Sequence, residues 1–247
     1  MPHVKSLFRS PPLSTPTINY YDWLLGRPEL KSWPDFTLHI DALTGEQRQA
    51  REVLERFEHA ATALVASPRD GGLGLVPEKQ VVGILSENCL VCPKVPFRGH
   101  LCRLPTLLSS KEYPVLVFAL LKLAVPMAFI PSQSTLQETV ELLKLSGVTC
   151  LFASEQLYPL AVAAAKMVGF SEKSTFILQG KVAGKESLPR LIENVKARGL
   201  PKTETREVQD DTLAYLMFSS GTTGLPKGYF FPVNFATILK VEWIQQL

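Results

Sequence analysis

Short apolar runs alternate with helix-like segments along most of the chain, and this alternation restricts its fold more than any other feature. Residues 80–85 and 127–130 are predicted strands, and residues 114–124 between them are a predicted apolar helix with proline in its first turn. The predicted strands are apolar throughout, which is typical of strands covered on both faces. The pattern therefore predicts an α/β domain with a largely parallel sheet and flanking helices.

The same criteria predict further elements on both sides of this unit. Thr44 and Ser134 each stand three residues before a glutamine, so each is expected to open a helix with a capping box. Gly147 and Gly169 each follow a helical pattern and are expected to end it. The further predicted helices are 44–65, 134–147, 160–168 and 188–195, and the further predicted strands are 149–153, 175–178 and 213–218.

Directly after the last predicted strand, residues 219–228 combine glycines, hydroxyl side chains and one lysine. Glycine lets the backbone approach an anion closely, and hydroxyl and ammonium groups add donors, so the run predicts a phosphate-binding loop. The lysine does not stand at the Walker A spacing, and a P-loop NTPase is therefore excluded. The candidate phosphate-binding residues are Ser219, Ser220, Gly221, Thr222, Thr223, Gly224, Lys227 and Gly228.

Residues 219–228 read SSGTTGLPKG and resemble the signature loop of the adenylate-forming (AMP-binding) superfamily, S-[ST]-G-[ST]-T-G-x-P-K-G, at every position. The superfamily includes acyl-CoA synthetases, aryl-CoA ligases of the 4-coumarate type, luciferases and peptide-synthetase adenylation domains. The resemblance extends over about residues 20–228 and implies part of the N-terminal domain of the adenylate-forming ligase fold.

The resemblance implies a reaction as well as a fold. In the family a carboxylic acid attacks the α-phosphate of ATP, magnesium pyrophosphate leaves, and the acyl-adenylate passes its acyl group to coenzyme A or another acceptor. ATP, Mg²⁺ and CoA are the implied cofactors, and Lys227 corresponds to the loop lysine rather than to the adenylation lysine. No catalytic or metal-binding residue can be assigned, because the family's other motifs follow this loop. The 247 residues are therefore expected to be truncated and inactive, and a non-catalytic nucleotide-binding or interaction fragment is the alternative.

The chain divides into a leader expected to be disordered (1–19), a partial AMP-binding domain (20–228) and a divergent tail (229–247). Residues 91–111 interrupt the domain, because the connection between the strand ending at residue 85 and the next helix is far longer than the usual 2 to 6 residues. We hypothesise that 91–111 is a retained intron, since the codons at its edges can supply splice-site dinucleotides and its removal keeps the reading frame.

The four cysteines carry two further interpretations. Cys89, Cys92, His100 and Cys102 could form a zinc knuckle, but their spacing does not resemble two half-sites, so this interpretation is not favoured. Cys150 lies in a predicted strand and is interpreted as a small buried apolar residue rather than a nucleophile.

Composition excludes several classes of partner. The net charge of +3 is too small to indicate nucleic acid or a membrane surface as a partner. The one long apolar stretch, residues 113–130, is interrupted by Lys122 and Pro126, so a helix followed by a strand is predicted there instead of a membrane span. With few cysteines and no signal peptide, the expected location is the cytoplasm, or peroxisomes for a longer form.

Overall fold

The computed structural model describes residues 18–40, 45–87, 111–209, 211–219 and 227–232. The strands are β1 (Thr37–Ile40), β2 (Gln47–Gln49), β3 (Val82–Leu85), β4 (Met127–Ile130), β5 (Cys150–Ala153), β6 (Thr175–Ile177), β7 (Leu213–Ser219) and β8 (Lys227–Pro232). The α-helices are α1 (Tyr20–Leu25), α2 (Ala50–Val65), α3 (Tyr113–Lys122), α4 (Leu136–Ser146), α5 (Tyr158–Val168) and α6 (Leu188–Ala197). Short 3-10 helices lie at Pro28–Lys31, Pro68–Asp70, Pro77–Lys79 and Glu172–Ser174.

The main sheet has six strands in the order β6-β5-β3-β4-β7-β8. The first five run parallel, and β8 pairs antiparallel with β7. Every residue of β3 and β5 is buried, which explains why their sequences are apolar throughout. The predicted α/β class with a largely parallel sheet is confirmed.

Helices cover both faces of this sheet. Helices α2, α3 and α6 share one apolar cluster with Val82, Ile84 and Phe152. Helices α4 and α5 share a second cluster with Leu85 and Leu151 from the same two strands. Side chains of successive strand residues thus belong to opposite clusters, because successive side chains in a strand point to opposite faces.

Gly83, in the central strand β3, marks a close approach between the sheet and the segment that leads into β5. A Cβ atom at this position would lie 2.9 Å from a methyl group of Leu151 and 3.0 Å from a methyl group of Val148. Real Cβ atoms rarely approach so closely, so a side chain here would displace Leu151 and Val148. Both residues share an apolar cluster with residues of α4.

The predicted start of α2 is wrong. Gln47, expected in a capping box, lies instead in β2, which pairs with β1 as a two-stranded hairpin. The helix begins at Ala50, whose N–H donates to the carbonyl of Phe36 at 2.8 Å. Thr44 lies outside the described residues. Residues 47–49, which the local sequence predicts in the first helical turn, therefore pair as a strand instead.

The predicted cap of α4 is one residue too early. The capping box is formed by Thr135 and Glu138 instead of Ser134 and Gln137, and the helix ends at Gly147 with φ of 64°, as expected of glycine at that position. Glutamate is the better partner here because its carboxylate accepts from both the backbone N–H and the hydroxyl of Thr135, at 2.7 and 2.8 Å.

The long apolar stretch folds as predicted, into α3, a turn and β4. Within the described residues, no helix is long and apolar enough to cross a membrane.

Cys150 opens β5 and is buried, which confirms its interpretation as a small apolar residue. Burial raises the pKa of its thiol to about 12. Because the thiolate is the reactive form, the side chain is protected from alkylation as well as from solvent.

This pKa predicts a loss of stability in alkaline solution. The folded-state pKa lies above the value of about 8.5 in an unfolded chain, so the unfolded state releases the proton first as the pH rises. The contribution is complete below about pH 8.5 and falls by roughly 1.4 kcal/mol per pH unit up to about pH 12. Urea unfolding between pH 7 and 10 should show a shallower decline for Cys150→Ala than for the unmodified chain. Parallel declines for the two chains would contradict the assignment.

Candidate phosphate-binding hairpin

The predicted phosphate loop joins β7 and β8, which form a hairpin at one side of the main sheet. Strand β7 runs parallel to β4, with Met127 opposite Tyr215 and Ala128 opposite Leu216. It continues to Ser219, where the last pair of the hairpin places Lys227 directly across from it. Opposed Cα atoms in antiparallel strands lie about 4.5–5.5 Å apart. The chain therefore leaves the sheet at Ser219 and returns to it at Lys227, directly opposite.

The structure places the backbone of three predicted site residues in this hairpin, namely Ser219 in β7 and Lys227 and Gly228 in β8. The other five, Ser220, Gly221, Thr222, Thr223 and Gly224, lie outside the described residues. The predicted strand before the loop is confirmed. The strand after it was not predicted, although three consecutive aromatic residues at 229–231 favour a strand.

The loop follows a parallel strand, so it starts at the carboxyl edge of the sheet, where the other parallel strands also end. Ser86 follows β3 and Ser154 follows β5 at this same edge, and both are buried. The N–H of Ser154 donates to the carbonyl of Leu85 at 3.1 Å, so these two chain segments lie side by side. The carboxyl edge is where open α/β sheets bind ligands.

Helix α4 also begins near this edge, but its own side chains fill its N-terminus. The carboxylate of Glu138 accepts two hydrogen bonds from Thr135, and the first of these, from the backbone N–H, holds the pKa of Glu138 below its ordinary value. A carboxylate already takes the position that an anion would occupy at this helix end. The N-terminus of α4 is therefore not a candidate for phosphate, and the β7–β8 connection remains the predicted site.

A row of three half-buried aromatic rings lies beside β7 on the face covered by α3. Phe129 in β4 stacks on Tyr113 at 6.1 Å between ring centroids and tilts against Tyr215 at 5.9 Å. Burial raises the pKa of Tyr113 to about 12 and also raises that of Tyr215. Both phenols are therefore neutral at physiological pH, and the row gives the hairpin an uncharged apolar support.

The charged residues buried under the helices have partners. At the edge opposite the loop, Lys122 at the end of α3 donates to Glu58 at 3.1 Å and to Thr205 at 3.3 Å. Its ammonium group also lies 4.8 Å from the ring centroid of Tyr21. An amine held by three neighbours has a structural role, so Lys122 is not a candidate nucleophile.

At the start of α3, the buried carboxylate of Glu112 binds two arginines. Arg48 from β2 and Arg56 from α2 approach it at 3.1 and 2.9 Å. This cluster, Glu112 with Arg48 and Arg56, ties the small hairpin and two helices together. None of the three was predicted, because their positions in the sequence give no indication of the pairing.

Among the described residues, no group of three or more histidine, cysteine, aspartate or glutamate side chains could hold a metal ion. The residues of the zinc interpretation, Cys89, Cys92, His100 and Cys102, lie outside the described part of the chain.

Comparison with known proteins decides the family. Residues 106–237, more than half of the chain, match the family model described as AMP-binding enzyme, and the match contains the whole predicted loop. The chain belongs to this family. Membership in the AMP-binding family confirms the resemblance seen in residues 219–228. The match includes residues 106–111 of the predicted insert and 229–237 of the predicted tail, and the division into leader, domain, insert and tail stays a prediction.

Solved structures of several other proteins share the fold. A red-emitting luciferase from Phrixothrix hirtus has a TM-score of 0.59 at 23% identity, covering 78% of this chain and 32% of the luciferase. ATP-bound MatB from Rhodopseudomonas palustris has a TM-score of 0.59 at 18% identity, covering 88% of this chain and 35% of MatB. A benzoate CoA ligase from Burkholderia xenovorans LB400 has a TM-score of 0.60 at 18% identity, covering 87% and 35%. The chain thus spans about a third of each of these structures. A search of curated proteins finds no match.

Proposed function

We propose that this chain is part of an ATP-dependent, AMP-forming ligase that activates a carboxylic acid as its acyl-adenylate and transfers the acyl group to coenzyme A. The supporting observation is the position of the predicted loop at the carboxyl edge of a parallel sheet, inside the AMP-binding match. ATP-bound MatB and the benzoate CoA ligase, which share the fold, are consistent with ATP and CoA as partners.

In this proposal the acid's carboxylate oxygen attacks the α-phosphorus of ATP, the bond to the bridging oxygen breaks, and pyrophosphate leaves. Negative charge grows on the leaving group, so donors already fixed around it lower the barrier without having to reorient. The hydroxyl and backbone N–H groups of residues 219–224 and the ammonium group of Lys227 are the proposed donors. Mg²⁺ would be held by the ATP phosphates and would neutralise part of their charge.

The direct test is ATP binding by the 247-residue chain. Lys227→Ala should weaken the affinity for MgATP at least about tenfold in isothermal titration calorimetry, because a charge-assisted hydrogen bond to phosphate is lost. Lys166→Ala is the matched control, since Lys166 is an exposed lysine in the last turn of α5, at the opposite edge of the sheet. Equal affinities of the two variants would show that Lys227 does not contact the phosphates.

Carboxylate-dependent exchange of pyrophosphate into ATP then separates the two functions open to the chain. If the chain exchanges pyrophosphate faster than Lys227→Ala, these 247 residues are sufficient for adenylate formation. Exchange at that level, together with Lys227-dependent ATP binding, supports the non-catalytic nucleotide-binding alternative for these residues. Inactivity of the 247 residues alone, and a location in the cytoplasm or peroxisomes, stay predictions.

The acid substrate stays unassigned. The solved structures compared above include a luciferase, MatB and a benzoate CoA ligase, so the shared fold does not select one acid. Acceptance of an aryl or 4-coumarate-type acid is a proposal that a panel of acids in the exchange assay would test.

A further inference from the structure

An apolar cavity lies outside the helix layer, among α1, the 3-10 helix at Pro28–Lys31, β1 and the first halves of α2 and α3. Its volume is about 450 Å³, within the range of small-molecule sites. At roughly 30 Å³ per heavy atom, the share of a water molecule in the liquid, it holds about 15 heavy atoms. None of its lining residues belongs to β7 or β8, the strands that carry the described part of the proposed phosphate site.

Aromatic and aliphatic side chains form most of the cavity wall. Phe57 and Phe118, from α2 and α3, stack at 4.8 Å between ring centroids. At the mouth, the large apolar side chains of Trp33 and Leu38 are 50% and 43% exposed. An apolar ligand would cover these two residues and remove their apolar surface from water, which favours binding.

Three polar residues complete the wall, namely Arg27, Glu29 and His39. Burial, and then the nearby charge of Arg48, hold the pKa of His39 below its ordinary value, so this ring is neutral at physiological pH. The charged groups at the cavity are then Arg27 and Glu29. Both side chains are exposed, so solvent screens both charges.

The guanidinium of Arg27 is held in position with part of its hydrogen-bonding capacity unused. Its Nε donates to the carbonyl of Trp23 at 3.0 Å, and its central carbon lies 4.6 Å from the centroid of the Trp23 ring. Within the described residues, no group accepts a hydrogen bond from its two terminal amino groups. A guanidinium oriented by these two contacts, with its terminal amino groups at the surface, can bind a carboxylate in a bidentate manner.

We propose that this cavity binds a single amphiphilic carboxylate, with its apolar chain between α1, α2 and α3 and its carboxylate on Arg27. Dodecanoate has the matching size and is the probe. This site would be additional to any acid site near the phosphate loop, and the proposal does not depend on the proposed ligase function.

Isothermal titration of the 247-residue chain with dodecanoate, below the concentration at which the probe aggregates, tests the proposal. One molecule should bind per chain, and Arg27→Gln should weaken binding about tenfold through loss of a charge-assisted hydrogen bond. The same substitution should leave the affinity for dodecanol unchanged. The matched control is Arg69→Gln, because Arg69 is exposed and does not line the cavity.

Further variants locate the site and guard against misfolding. Arg27→Lys, which keeps the charge, should retain affinity within about threefold, and Glu29→Gln should raise it about twofold by removing a repulsive charge. Dodecanoate should change the tryptophan fluorescence, and Trp33→Phe should remove most of that change. Lys227→Ala should bind dodecanoate normally, so failure of the ATP experiment and failure of this one are distinguishable. Equal binding by Arg27→Gln and Arg69→Gln, several molecules per chain, or no binding would overturn the proposal.

Discussion

Replacing Phe152 by alanine should lower the free energy of unfolding by about 4 kcal/mol, the usual cost of truncating a buried phenylalanine. Phe152 lies in β5 and is fully buried between Ile84 of β3 and Phe176 of β6, its partners in the sheet. Its ring centroid is 5.4 Å from that of Phe176. The rigid sheet cannot close around the space left by the ring, so both the contacts and the hydrophobic transfer energy are lost.

Urea unfolding followed by circular dichroism measures this change, with Phe36→Ala as the matched control. Phe36 is 44% exposed and should cost at most about 0.5 kcal/mol. Phe152→Leu, which fills much of the same volume, should fall between the two. A loss below about 1 kcal/mol for Phe152→Ala would mean that β5 does not occupy the centre of the core.

Replacing Glu112 by glutamine should cost about 3 kcal/mol in free energy of unfolding, because two arginines then face each other without the buried carboxylate between them. Glutamine keeps the size of the side chain but removes the negative charge. The side chain of Glu112 is only 3% exposed, whereas those of Arg48 and Arg56 are 15% and 21% exposed and keep some contact with water. This remaining hydration places the expected loss at the lower end of the range for a broken buried pair.

Glu52→Gln provides the control for the same arginine. Glu52 approaches Arg48 at 4.0 Å but is 58% exposed, so its removal should cost at most about 0.5 kcal/mol. A double-mutant cycle with Arg56→Met isolates the pairwise term, and the double variant should recover part of the loss. If the Glu112 and Glu52 variants unfold at the same urea concentration, the buried cluster contributes no more than a surface ion pair.

The strands of the parallel sheet could be predicted because each is apolar on both faces and short. Runs such as Met127–Ile130 have this pattern wherever they occur in a chain, and no partner has to be known to recognise it. The β1–β2 hairpin could not be predicted in the same way, because Gln47, Arg48 and Gln49 are polar and compatible with a first helical turn. Only their pairing with β1 excludes the helix there.

Long-range polar contacts were the other part that the sequence did not reveal. Asn19, at the end of the predicted leader, is buried, and its amide donates to the carbonyls of Leu121 and Arg206, both at 3.0 Å. These partners are 102 and 187 residues away along the chain. A single asparagine carries no sign of such a role, because local pattern reports only the residue's own neighbours.

The candidate site was predictable in its composition and in the strand that leads to it, but not in its second strand. Hydroxyls, glycines and a lysine after an apolar run indicate phosphate chemistry locally. The antiparallel return of Lys227–Pro232 alongside β7 depends on pairing across the turn, which the motif alone does not specify.

This hairpin has a consequence for the affinity of the proposed site. Six cross-strand pairs from Leu213 with Pro232 to Ser219 with Lys227 hold both ends of the seven-residue connection together before any nucleotide arrives. The conformational entropy of bringing those ends together is therefore lost when the sheet folds. It does not reduce the free energy of nucleotide binding. The sheet in this way fixes the distance between the two ends of the proposed phosphate-binding segment before a ligand binds.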